Sequence, residues 1–288
     1  MTPETAEAPE APEAPEASDT RGGIPMSVRP DGTPCWVDAM FPDIEAAKNF
    51  YGQLLGWTFN DPVEEFGGYA TAFSNGKSVS GLMPAMPGVD APPAWNLYFA
   101  TADADATAAK IQANGGRLVV EPMSVGNLGT MVVATDPTGI AFGAWQPGEH
   151  QGFETKNGEH GAYAWSDVCS RDVARTDDFF PAVFPFTVQR MDEEGVDFRL
   201  WSVGADPALG RMKVEDEFPS DLPPFINVYF SVPEADTAVA KVIELGGKVI
   251  WGPMDSPFGR FATVADPQGA VFSVFDLDKQ TGEVPTFS

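Results

Sequence analysis

The stretch Asp90-Ala-Pro-Pro-Ala-Trp-Asn-Leu-Tyr-Phe99 returns 131 positions later as Asp221-Leu-Pro-Pro-Phe-Ile-Asn-Val-Tyr-Phe230. Other landmarks keep nearly the same offset: Trp36 and Asp38 return as Trp165 and Asp167, Gly115-Gly116 as Gly246-Gly247, and Asp136-Pro137 as Asp266-Pro267. A period this long exceeds solenoid repeats of about 20–50 residues, so the chain is two copies of a whole domain. Its 288 residues give each copy enough length for its own core.

The grammar inside one copy is itself double. Cys35 to Phe41 is strand-like and ends at Pro42-Asp43, where Asp43 is placed to cap a helix carrying Ala47, Phe50, Tyr51, Leu54 and Leu55 before Gly56 stops it. Three strands follow, two of them joined at Asn75-Gly76, a hairpin signal between alternating segments. From Trp95 the same order restarts: a strand, a helix capped by Asp103 or Asp105, then three more strands, with Asp136-Pro-Thr-Gly139 as a turn. The second copy repeats this from Ala162, with a helix from Asp172 to about Phe184 that Pro181 is expected to kink or break early. The expected division is an acidic Ala/Pro/Glu tail over 1–29 that stays disordered, a domain over 30–149, a linker over 150–158 and a second domain over 159–288.

The formal net charge is -25, which repels nucleic acid and anionic membranes and leaves neutral or cationic small molecules as ligands. Two cysteines form no disulfide framework. With no basic-then-apolar leader and no run of 18 apolar residues, the expectation is a cytoplasmic, soluble protein.

Paired strand-helix-three-strand modules, an acid opening each helix, the Phe50-Tyr51…Leu55-Gly56-Trp57 helix end, the Gly-Gly pairs and the Asp-Pro-x-Gly turns resemble the vicinal oxygen chelate superfamily over residues 34–280. That superfamily includes glyoxalase I, extradiol dioxygenases, fosfomycin-modifying enzymes and bleomycin-resistance proteins. The resemblance implies an α+β fold of two tandem domains, each of two βαβββ modules curled into an open, incomplete barrel around a cup. It also implies metal ligands near Trp36 and Trp165, near Asn96 and Asn227, and near Gly143 and Ser273. None of these is a good donor for a divalent metal, and the two histidines, His150 and His160, fall in or beside the linker. The expectation is therefore no metal and no cofactor.

If Trp36 points into the cup, alternation takes Asp38 and Met40 with it, and Trp165 brings Asp167 and Cys169. The same parity adds Asn96, Tyr98, Gly143 and Trp145 to one cup and Asn227, Tyr229, Ser273 and Phe275 to the other. Two outcomes are open: the rings floor a ligand site with Asn and Tyr as directional partners, or they fill the barrel solidly. For chemistry, Asp38 or Asp167 is the candidate general base and Tyr98 or Tyr229 the candidate oxyanion donor, whereas Cys169 reads as an inert buried thiol. The favoured function is metal-independent binding of an aromatic or cationic metabolite or drug, as in bleomycin-type antibiotic resistance. The alternatives are a metal-free lyase, isomerase or hydrolase and a surface interaction protein. Because single-domain relatives pair to complete their cups, the tandem chain is expected to be a monomer with an internal pseudo-dimer.

Overall fold

The computed structural model describes residues 29–85, 88, 92–193, 195–215 and 222–288. The acidic arm over 1–28 and the repeated Asp90 and Asp221 lie outside the described residues. The first half runs β1 (Pro34–Phe41), α1 (Ile44–Leu55), β2 (Thr58–Phe59), β3 (Ala70–Ser74), β4 (Lys77–Pro84), then β5 (Trp95–Ala100), α2 (Ala104–Ala113), β6 (Arg117–Val125), β7 (Gly129–Thr135) and β8 (Ala141–Pro147). The second repeats it as β9 (Tyr163–Ser170), α3 (Val173–Val183), β10 (Phe186–Arg190), β11 (Phe198–Val203), β12 (Asp206–Lys213), β13 (Phe225–Ser231), α4 (Ala235–Glu244), β14 (Lys248–Ser256), β15 (Gly259–Ala265) and β16 (Val271–Asp276).

Each half forms one eight-stranded sheet that does not close, ordered β2-β3-β4-β1-β5-β8-β7-β6 and β10-β11-β12-β9-β13-β16-β15-β14. Within a module the helical crossover makes β1 parallel to β4 and β5 parallel to β8, while antiparallel pairing of β1 with β5 joins the modules. Local chemistry sets the boundaries. The Asp43 carboxylate accepts the Ala46 amide at 2.9 Å to start α1, and Gly56 in the left-handed region ends it. Asn75 and Gly76 both take positive φ, 49° and 77°, as the tight turn between β3 and β4 requires. Asp103, not Asp105, caps α2. Pro181 neither kinks nor shortens α3, because it sits in the last turn and the Phe184 amide still reaches the Phe180 carbonyl at 2.9 Å.

The side of each sheet facing away from its cup carries most of the core, which in the first half also takes in the cup rings Trp36, Tyr98 and Trp145, and the two halves bury these faces against each other. Tyr51 of α1 and Trp95 of β5 meet Phe230 and Phe272 of the second half through Trp57 and Phe50, with ring centroids 5.0–6.3 Å apart along the chain of contacts. On the other side of the pseudo-twofold, Phe179, Phe180 and Phe184 of the second half pack on Phe99 and Phe142 of the first. One continuous buried cluster therefore spans both halves. The cup faces lie on the outside of the pair, where the rings of Trp36, Tyr98 and Trp145 in the first cup and Tyr229 and Phe275 in the second are themselves buried.

Candidate functional site

In the first cup, Trp36 of β1 stands opposite Tyr98 of β5, Asp38 opposite Asn96, and Tyr98 opposite Gly143 of β8. Gly143 is small for a reason: a Cβ there would lie 2.1 Å from the Tyr98 ring. Gly81 of β4, opposite Asp38, is small because Tyr69, just ahead of β3, lays its hydroxyl 1.7 Å from where a Cβ would be. That hydroxyl accepts the Trp36 indole N–H at 2.8 Å. The half-buried Asp38 carboxyl takes a hydrogen bond from the Tyr98 hydroxyl, and burial pushes it up to about 7, the tyrosine pulling the other way. The Asp38 charge in turn raises Tyr69 and Tyr98, both already raised by burial. Met40 lies farther along the same face of β1, half-buried, next to Met83 of β4.

The second cup repeats the register: Trp165 opposite Tyr229, Asp167 opposite Asn227, Tyr229 opposite Ser273. Its bonding differs. Trp165 donates to Asp167 Oδ1 at 3.0 Å and Tyr229 to Asp167 Oδ2 at 2.7 Å, so both carboxylate oxygens are engaged. Asn227 donates to Ser273, which also meets Thr263, each at 2.9 Å. Asp167 is buried, and burial raises its pKa against the two donors. A small cluster of Ala164, Tyr229 and Phe275, with Trp165, Phe261 and Leu277 packed on it, is separate from the main core. Trp251 extends it at 5.8 Å from Phe261 and is 42% exposed. In both cups the asparagine Oδ1, of Asn96 and of Asn227, is buried with no hydrogen-bond partner.

Sequence reading left both histidines away from the cups, and for His150 the structure corrects it. The chain after β8 turns back, with the Gly148 and His150 amides on the Leu128 carbonyl, and the His150 ring packs edge-on against Trp36 with centroids 4.4 Å apart. Its carbonyl accepts the Trp145 indole at 2.8 Å, and burial lowers the pKa of its imidazole. His160 stays outside, 3.5 Å from the Ser231 hydroxyl. Tyr69, Phe198, Trp251 and Phe261 were also not singled out. The repeat carries a signal for the first two: each stands 12 residues before the cup glycine, Gly81 or Gly210, and 129 apart. Cys169 and Cys35 are 1% exposed, and burial holds Cys169 well above the usual thiol range and Cys35 up to about 12. Neither has thiolate character.

The metal that the fold implies does not fit these residues. Each cup offers one carboxylate, and the Tyr98 ring fills the space before Gly143. Among the described residues no three His, Cys, Asp or Glu side chains converge. A cavity of about 390 Å3 belongs to neither cup; Arg29, Gln151 and Phe153 line one side, and Val203, Asp206 and Pro207 the other.

A family model described as the Glyoxalase/Bleomycin resistance protein/Dioxygenase superfamily matches residues 36–143. The "Putative glyoxylase CFP32" of Mycobacterium tuberculosis is 39% identical over 249 residues, 84% of this chain and 94% of the relative. The chain belongs to this superfamily. A second member, "Anthracycline biosynthesis protein DnrV" of Streptomyces peucetius, is 36% identical over 85% of this chain and 94% of its own length. The superfamily fold is seen in the Mn(II)-bound glyoxalase of Novosphingobium aromaticivorans, TM-score 0.59 at 18% identity, covering 88% of this chain and 87% of that one. It is seen again in a homoprotocatechuate 2,3-dioxygenase variant of B. fuscum, TM-score 0.60 at 18% identity, covering 91% and 74%. These two likenesses concern the fold alone. No helix among the described residues is long and apolar enough to cross a membrane.

Proposed function

We propose that this chain is a metal-independent small-molecule-binding member of the superfamily that holds a flat, oxygenated aromatic compound in its cups. The observation that carries this is the second cup's aromatic cluster, cut off from the main core, with Trp165 and Phe261 part-exposed over buried Tyr229 and Phe275. Rings kept at a solvent-facing cup rather than in the core offer stacking surface, and the unpartnered Asn227 Oδ1 offers an acceptor to a ligand hydroxyl. The name of the Streptomyces relative is in keeping with such a ligand, since anthracyclines are fused, hydroxylated ring systems. Both halves of the usual pair lie in one chain, so the binding unit is the monomer.

The test is a tryptophan-emission titration with 1,2-dihydroxyanthraquinone, before and after exhaustive chelation, with native mass spectrometry on the same sample. Saturable quenching that survives chelation and weakens about tenfold in Trp165→Ala, the loss of roughly 1.4 kcal/mol of stacking and burial, supports the reading. Binding that disappears with the chelator shows a metal site and overturns it.

A further inference from the structure

The two cups share a plan but differ at one aromatic, and the difference decides how each carboxyl is used. In the first, the hydroxyl of Tyr69 stands over Gly81 and takes the Trp36 indole N–H. In the second, Phe198 stands at the corresponding place over Gly210, its ring 2.5 Å from where a Cβ would be. Phe198 has nothing to offer the indole, so Trp165 turns its N–H to Asp167 instead. Asp167 is thereby buried and engaged at both oxygens. Asp38 keeps one hydroxyl donor, Tyr98, and is half-buried rather than fully enclosed. Because the Tyr69 oxygen accepts from Trp36, its own hydrogen points elsewhere, and the Asp38 charge acts on it at short range.

We propose that the first cup is a proton-transfer centre, with Asp38 as the general base and then acid, and Tyr69 as the donor to the developing oxyanion. The second cup holds ligand without this chemistry. This rests on the binding reading above and adds a reaction and a substrate class: an enolisable ketone fused to or flanking an aromatic ring. The Asp38 carboxylate takes a proton from the carbon next to the carbonyl. The C–H electron pair forms the C=C bond, the carbonyl π pair moves to oxygen, and Tyr69 hydrogen-bonds that oxygen. The Asp38 carboxylic acid then returns the proton to the oxygen or to a conjugated carbon, giving a tautomer of the same composition. No oxidant, metal or co-reactant enters. A carboxyl lifted to near neutrality by its surroundings suits both halves of the transfer. Tyr69 supplies electrostatic stabilisation where charge develops.

The experiment uses the full chain with 2-tetralone in D2O, following loss of the α-proton signals by NMR and binding by tryptophan emission. Wild-type protein is expected to accelerate exchange over buffer, Asp38→Asn to lose about 10²-fold or more, and Tyr69→Phe to lose about 10-fold or more, with both variants folded by circular dichroism and still binding the probe. Phe198→Tyr, with Asp167 still buried, is a second variant that keeps the claim falsifiable if Asp38→Asn misfolds: exchange that stays tied to Tyr69 in this background supports the assignment. Binding without exchange overturns this proposal and leaves the binding reading standing. Neither binding nor exchange at millimolar probe overturns both. Exchange lost in Asp167→Asn but kept in Asp38→Asn overturns the assignment to the first cup.

Discussion

The Tyr51 hydroxyl donates to Asp266 Oδ2 at 3.0 Å, across 215 residues of chain and from one half of the duplication to the other. Asp266 opens an Asp-Pro-x-Gly turn and also accepts the Gln268 and Ala270 amides, so the turn between β15 and β16 of one half receives the helix α1 of the other. The mirror contact, weaker at 3.4 Å, runs from Thr176 of α3 to Asp136. Tyr51 also accepts the Trp95 indole at 3.2 Å.

Replacing Tyr51 with Phe removes one hydroxyl and leaves two buried groups, the Trp95 N–H and an Asp266 oxygen, short of a partner. The expected cost is about 1–3 kcal/mol, read as a lower urea midpoint with an unchanged slope. An unchanged midpoint would show that water reaches this junction.

Arg211 of β12 is fully buried on the convex face under α3, with its guanidinium on Asp177 at 2.8 and 3.0 Å and on Asp197 at 2.8 Å. Arg211→Met is expected to cost about 3 kcal/mol or less, because it leaves the mostly buried Asp177 carboxylate with Arg199 alone, at 3.0 Å, and the double change Arg211→Met with Asp177→Leu to cost less than the single one. Chemical denaturation of both variants checks it. A double variant worse than the single one contradicts the stranded-charge account.

Asp38 gives a pH dependence whose sign is fixed. Its folded carboxyl lies at about 7 against roughly 3.9 in an unfolded chain, so between these values the native state binds more protons. Stability therefore falls as pH rises from about 4 to 7, by at most about 4 kcal/mol and less for the solvent that reaches a half-buried group. Asp167 is shifted in the same direction. The facing groups, Tyr69 of the segment before β3 and Tyr98 of β5, are raised well above their ordinary range and do not titrate in this window. Asp38→Asn should raise the melting temperature at pH 8 and barely change it at pH 4. An equal gain at both values would assign the effect to packing instead.

Much of the architecture was legible because it rests on short-range rules. The duplication, the four capped helices and the order of strands followed from spacing, caps and turns such as Asp43, Gly56 and Asn75-Gly76. Strand parity put Trp36 with Asp38 and Asn96 with Tyr98, and the pairing register of β1 with β5 then set both pairs on one face. Hydrogen-bond partners were not legible. They depend on where an opposing ring arrives: the repeat aligns Tyr69 with Phe198 but does not say what either touches, and His150 comes from a segment after β8 with no periodicity to place it.

The sequence by itself determined that this is a doubled βαβββ pair whose expected metal positions are held by Trp, Asn and Gly or Ser. Tertiary structure alone decided that the halves pack back to back through their aromatic convex faces, and that two similar carboxyls acquire different surroundings. The physical reason is range. Helix caps and strand alternation act over a few residues, whereas the setting of Asp38 or Asp167 is the sum of burial and donors delivered by strands far apart in the chain.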